Sequence, residues 1–251
     1  QARRRERAGP TGAESVVIVA ILAGGRGTRM AEETSVRPKA MVDVAGRPIL
    51  WHVMQMYAGA GLNDFIVAVG YRGDVIGAEI AGHCPSHWRI ECVDTGEDTA
   101  SGGRLLRLKH RLGDAPFVLS WCDGVADLDV PALLAFHRGH GKLATVVAVH
   151  PPSRFGRLGL AGERVVRFAE KGVDTDAWVS GGMFVLEAEA LDVIADAATP
   201  WEQGPLAALA EAGQLMAYRH EGFWQCMDTV AERDALASLW RRGIAPWKRE
   251  T

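Results

Sequence analysis

The apolar run Val16 to Leu22 breaks off into Ala23-Gly24-Gly25-Arg26-Gly27-Thr28-Arg29-Met30, with three glycines in four positions and two arginines beside them. An apolar segment this short, closed by glycine, reads as a buried strand that ends in a tight turn. With no Cβ atoms in the way, successive backbone N–H groups of the turn can point into one concavity. Guanidinium groups add charge-assisted hydrogen bonds to phosphate oxygens. A fold that places the end of this strand where a polyanion such as a nucleoside triphosphate can reach it would suit such a turn. Two familiar phosphate loops do not fit. A P-loop needs Gly-Lys-Ser/Thr where Gly27-Thr28-Arg29 stands, and the dinucleotide fingerprint needs glycine at Met30. On the loop alone, a glycine turn without a ligand remains an alternative.

Arg37-Pro38-Lys39-Ala40-Met41 sets a proline-stiffened lysine shortly after the glycines. The whole run, from Leu22 to Met41, resembles the signature loop of the sugar-phosphate nucleotidyltransferases. That resemblance implies a nucleotide site made of Leu22, Ala23, Gly24, Gly25, Arg26, Gly27, Thr28, Arg29 and Lys39, with Arg29 and Lys39 holding the triphosphate. It also implies a three-layer, Rossmann-like nucleotide-diphospho-sugar transferase fold.

The rest of the chain alternates in a compatible way. Pro48 opens a helical pattern (Ile49, Leu50, Val53, Met54, Tyr57) that stops at Gly59 and Gly61. Phe65–Val69 reads as a strand, Asp74–Ala81 as a helix, Arg89–Val93 as a strand and Leu105–Leu112 as a helix. Phe117–Trp121 is a strand running into Cys122-Asp123-Gly124. Helix Val130–His140 and strand Leu143–Val149 follow. Alternation of this kind predicts a mostly parallel α/β sheet covered on both faces, with ligands at the carboxyl ends of its strands. Residues 151–186 break into short strands, a small β insertion. Helices are expected at Glu187–Ala197, Pro205–Ala212 and Val230–Arg242, with a strand at Leu215–His220. Residues 1–14 are basic and lack apolar periodicity, which predicts a flexible tail before one domain spanning 15–251.

Composition excludes several classes. At 251 residues and 48% apolar, the chain can bury a sizeable core, and its net charge of −3 argues against a nucleic-acid partner. No apolar run approaches the ~20 residues of a membrane span, so a cytoplasmic protein is expected. The four cysteines form no Cys-x-x-Cys pair and read as reduced, packed thiols.

Nucleotidyl transfer is opposed chiefly by repulsion among phosphates, which a divalent metal relieves. Mg2+ favours one or two carboxylates with water and phosphate oxygens. Asp123 directly follows an apolar strand, and Asp228 lies among bulky apolar neighbours where an unpaired carboxylate is costly. Either one read alone could be a helix cap or a buried hydrogen-bonding aspartate. The family resemblance implies that the pair holds the metal. Asp127 and Asp129 read as a helix N-terminal cluster. Cys122 lacks an identifiable base and reads as packing rather than as a nucleophile.

The acceptor phosphate needs its own cation. Glu170-Lys171 resembles the Glu-Lys pair of the same family, with Lys171 on the sugar phosphate and Glu170 on its hydroxyls; Ser180 and Gly181 would border the sugar. Four further segments resemble glucose-1-phosphate cytidylyltransferases: 47–52, Thr95-Gly96-Glu97-Asp98-Thr99 with Gly102-Gly103-Arg104, Pro151 to Gly156, and Gly222-Phe223-Trp224-Gln225-Cys226-Met227-Asp228-Thr229. The resemblance implies CTP as donor, a glucose 1-phosphate-like acceptor, Mg2+ and a homo-oligomer. It adds Thr95, Gly96 and Gly103 to the base and ribose region and Gly156 to the acceptor side. The chain departs from that pattern at Ala40, Trp121-Cys122, Gly172 and Ser180, and these changes gather near the acceptor.

Overall fold

The computed structural model describes residues 16–27, 30, 37–152, 157–161, 163–169 and 177–249. The expected tail, together with Thr28, Arg29, Gly156, Glu170 and Lys171, lies outside the described residues. Strands β1 (Ile18–Leu22), β2 (Asp43–Val44) and β3 (Arg47–Pro48) precede helix α1 (Ile49–Ala58). Strand β4 (Asp64–Val69), helix α2 (Gly73–His83), strand β5 (Arg89–Asp94) and helix α3 (Ser101–Leu112) follow in turn. The chain continues through β6 (Phe117–Trp121), β7 (Gly124–Ala126), α4 (Val130–His140), β8 (Ala144–Val149), β9 (Arg157–Ala161) and β10 (Arg164–Ala169). It closes with β11 (Val179–Leu186), α5 (Pro205–Glu211), β12 (Leu215–His220), β13 (Trp224–Cys226) and α6 (Val230–Arg241).

Seven strands form one sheet in the order β12-β8-β11-β6-β1-β4-β5. Strand β11 runs antiparallel to both β6 and β8, and the remaining pairings are parallel. Alternation along the strands divides the core between the two faces, as a covered sheet requires. Val19 and Ile21 of β1 pack toward α1, α2 and α6, whereas Ala20 and Leu22 pack toward α3 and Trp201. This is the three-layer α/β arrangement that the alternation predicts, with β9–β10 as a separate two-stranded ribbon. No helix among the described residues is long and apolar enough to cross a membrane.

Three expectations need correction. Residues 151–186 are not all short strands of an insertion: Val179–Leu186 forms the eight-residue strand β11 within the main sheet, between β6 and β8. Residues 187–197 form no α-helix: a 3-10 helix covers Ala188–Val193 and Ile194 is already extended. The chain peels off because the Ala197 carbonyl is taken by Ala100 N–H at 3.1 Å, while Asp196 caps Ala198 N–H at 2.9 Å. Helix α3, in turn, starts four residues before Leu105, at Ser101. Its first turn admits two glycines because a Cβ at Gly102 would lie 2.6 Å from the Thr199 carbonyl oxygen, and one at Gly103 would lie 2.2 Å from that of Ala197.

Two histidines tie helices into this core as neutral imidazoles. Nε2 of His52 donates to the Val44 carbonyl at 2.8 Å and Nδ1 accepts from Trp247 Nε1 at 3.3 Å. Burial pushes the His52 pKa down to about 4. Burial, with the neighbouring His140, does the same to His137. Both therefore take up a proton on unfolding between pH 4 and the ordinary 6.5. The unfolded chain binds more protons in that window, so stability is complete above it and falls as pH drops through it. We expect each to contribute up to ~1.4 kcal/mol of loss per pH unit. Urea midpoints measured from pH 7 to 4.5 should fall, and His52→Gln should flatten the slope; an unchanged slope would contradict the assignment.

Candidate active site

The strand order places the carboxyl ends of β1 and β6 side by side, with Leu22 paired to Trp121. Strands β4 and β5 continue on one side of β1 and β6 on the other, so the chain leaves β1 at a topological switch point, where open α/β sheets bind ligands. The glycine turn leaves β1 there. Ala23 N–H still donates to Ala68 at 2.9 Å, and Tyr71 N–H donates to the Gly24 carbonyl at 3.2 Å. Gly27 adopts φ +61°, the left-handed geometry in which glycine costs least.

Asp123 and Asp228 are 105 positions apart in the chain, and a short antiparallel ribbon brings them together. Strand β7 pairs Gly124 with Cys226 of β13, and Met227 N–H donates to the Asp123 carbonyl at 2.8 Å, extending that ladder by one bond. Between the two side chains sits the Lys39 ammonium, 2.5 Å from Asp123 Oδ2 and 2.7 Å from Asp228 Oδ1. Their side-chain exposures are 10% for Lys39, 18% for Asp123 and 9% for Asp228. Burial alone would lower the lysine pKa. The charge of Asp123 and hydrogen bonds to both carboxylates outweigh it and hold the ammonium above its ordinary value. Lys39 opens a 3-10 turn with Ala40 and Met41, all three buried, which fixes the approach of its stem.

Two cavities meet at this point. The first, about 270 Å³, is lined by Leu22 to Gly25, Gly27, Lys39 and Arg104, among others. The second, about 430 Å³, is walled by Ser180 to Gly182, Trp224, Cys226 and Asp228 among others. Trp121 and Asp123 line both. Leu22 to Gly25 and Gly27 of the expected nucleotide loop thus line one cavity, the expected acceptor residues Ser180 and Gly181 line the other, and Asp123 is common to both. Two carboxylates aimed at one point are a donor set suited to Mg2+, which takes its other ligands from water and phosphate. Among the described residues, no third acidic, histidine or cysteine side chain joins them.

Other expected residues lie elsewhere. Arg26 turns away, with Nη2 2.5 Å from Glu97 Oε1 and its guanidinium 5.4 Å from the centre of the Tyr71 ring. Thr95 is fully buried, its hydroxyl donating to Val69 at 2.7 Å, and Gly103 faces the Ala197 backbone rather than a cavity. Gly96 borders a separate hollow with Arg107. Of the acidic pair before α4, Asp129 is the cap, accepting from Ala132 N–H at 2.9 Å, whereas Asp127 stands 2.9 Å from His220 Nε2. Burial pushes the Cys122 and Cys226 thiols up to about 12, so neither is a ready nucleophile at neutral pH.

Two residues act where no role was read from the sequence. Buried Arg104 donates to the carbonyls of Gly24 (3.0 Å), Gly96 (2.8 Å), Glu97 (3.1 Å) and Val69 (3.2 Å), and to the Thr95 hydroxyl (2.6 Å). It clamps the glycine turn to the segment after β5. Trp224 Nε1 donates to Gly181 at 3.0 Å, where the β8–β11 register slips and Gly182 takes φ +73°. That bond ties the β7–β13 ribbon to the wall of the second cavity. Arg104 stands just ahead of the helix expected at Leu105–Leu112, and only its company, Gly102-Gly103, marked it in the sequence.

A family model described as nucleotidyl transferase matches residues 18–228. The glucose-1-phosphate cytidylyltransferase of Salmonella typhimurium is 44% identical over 250 residues, covering 91% of this chain and 97% of that protein. The probable glucose-1-phosphate cytidylyltransferase of Bacillus subtilis is 35% identical, covering 91% and 98%. Among solved structures, HddC from Yersinia pseudotuberculosis matches with a TM-score of 0.73 at 19% identity, covering 89% of this chain and 99% of that one, a likeness of fold.

Removing the clamp should loosen the glycine turn. Each buried carbonyl left without a donor costs ~1 kcal/mol or more. Arg104→Met should therefore weaken nucleoside triphosphate binding by about tenfold, with some loss of stability. Calorimetric titration beside urea melting checks this; unchanged affinity would show that the turn is held by other contacts.

Proposed function

This chain belongs to the nucleotidyl transferase family and is a sugar-phosphate nucleotidyltransferase, and from that premise we propose that it joins CMP from CTP to a sugar 1-phosphate, releasing pyrophosphate. The observation that carries the reading is the convergence of Lys39, Asp123 and Asp228 where a glycine-rich cavity meets a second, aromatic-walled one. The donor would lie in the first cavity, its triphosphate against the backbone of Gly24, Gly25 and Gly27. The acceptor would lie in the second. Asp123, on the border, would stand beside the α-phosphorus.

The chemistry asked of these residues is positioning and charge balance. An acceptor phosphate is already ionised at neutral pH, so no general base is required, and no covalent intermediate with a side chain is needed. Lys39 donates to triphosphate oxygens, and Arg29, carried from the sequence resemblance, supplies a second cation. Lys171 and Glu170 hold the acceptor phosphate and sugar. Asp123 and Asp228 would hold Mg2+. Bound there, the metal supplies neutralisation of the charge that opposes attack at phosphorus. A homo-oligomer, as the resemblance implies, and a cytoplasmic location are part of the same reading.

Trp121 and Ser180, both positions of departure from the cytidylyltransferase pattern, line the second cavity. That favours an acceptor other than glucose 1-phosphate, such as another sugar or cyclitol phosphate or a phosphonate, while Ala40, Trp121 and Cys122 also border the first cavity and bear on the donor. Pyrophosphate release should be measured with CTP, dTTP, UTP or GTP and Mg2+ against a panel of such acceptors. We expect CTP to lead and at least one acceptor to turn over. Asp123→Asn should fold yet lose at least ~100-fold in kcat, as for removal of one electrostatic stabiliser. Release from no CTP–acceptor pair, or near-normal turnover in Asp123→Asn, would overturn the proposal.

A further inference from the structure

The Lys39 ammonium and a divalent metal require the same place. Its nitrogen is within hydrogen-bond distance of both carboxylates, in a setting little open to water, and its stem is anchored by a buried turn. A metal added to the occupied site would bring two cations onto one carboxylate pair at short range. Their repulsion is weakly screened where water is scarce. For the carboxylates to receive the metal, the ammonium must leave. A buried cation moved away from its partners is costly unless another anion receives it. Lys39 also lines the first cavity, where the glycine turn would cradle a polyphosphate, so that anion would be at hand.

We propose that Lys39 is a resident counter-ion that makes divalent metal binding conditional on the nucleotide. In the empty protein it bridges Asp123 and Asp228, offsetting one of their two charges, and excludes the metal. When a triphosphate fills the first cavity, Lys39 transfers to its oxygens and frees both carboxylates. The inference rests on the functional reading above for the identity of the polyanion. Its core, competition between ammonium and metal for one carboxylate pair, holds without any nucleotide. Because coupling of this kind is reciprocal, metal also tightens nucleotide binding by the same factor by which nucleotide tightens metal binding.

Mn2+ serves as the probe, with unbound metal read from its electron paramagnetic resonance signal in the absence of nucleotide. Wild-type protein should bind Mn2+ only weakly, and Lys39→Met should bind it at least ~10-fold tighter, since removing the competing cation leaves two carboxylates facing one point. Equal affinity in both proteins overturns the inference. If Lys39→Met does not fold, the wild-type chain decides the matter through the 15N resonance of the Lys39 ammonium. Millimolar Mg2+ alone should leave that signal in place, and CTP should shift it. A signal lost to Mg2+ alone refutes the exclusion. A signal indifferent to CTP, while Lys39→Met still gains Mn2+, removes the nucleotide reading and leaves the competition standing.

Discussion

One ammonium held between two little-exposed carboxylates is the contact around which the site is arranged. Its three members come from distant parts of the chain: a turn after the first strand, the end of β6, and the residue two past β13. Each owes its place to ordinary packing. Strand β6 pairs directly with β1, so Asp123 emerges beside the glycine turn. The β7–β13 ribbon carries Asp228 back to the same spot. Taking away the ammonium would set two carboxylates against each other where water reaches poorly, which is destabilising. The trio thus links the sheet, the ribbon and the turn energetically as well as geometrically.

Around this contact the molecule is asymmetric in a way that suits transfer between two bound partners. The first cavity presents backbone and cationic groups, as a polyphosphate needs. The second presents indole and phenyl faces together with a bulged strand edge at Gly181 and Gly182. Arg104 secures the first wall and Trp224 the second, and both do so by donating to backbone carbonyls of glycines. Glycine recurs at these points because a side chain would collide: a Cβ at Gly24 would lie 2.1 Å from the Arg104 guanidinium. The same glycines leave backbone open to the cavities.

Much of this was legible in the residues. Strand and helix alternation implied the layered sheet because apolar periodicity follows directly from burial on one or two faces, and β1 ran into three glycines, a turn that suits a polyanion. Asp123 was readable from its position after an apolar strand. Its bond to Lys39 was not, because pairing across 84 positions depends on which strands become neighbours. Arg104 was opaque for a related reason: apart from the Thr95 hydroxyl its partners are carbonyls, which leave no trace in residue types. The misread helix after Glu187 had acceptable helical composition. It was overridden by a tertiary hydrogen bond from Ala100 to Ala197 that no local pattern announces.

The proposed exchange of one cation for another as the pocket fills is tested most directly by a crystal structure with CTP and Mg2+ bound. The Lys39 nitrogen should lie on triphosphate oxygens, with Asp123 and Asp228 both ligating the metal. A complex in which Lys39 still bridges the two carboxylates while the metal sits elsewhere would contradict it.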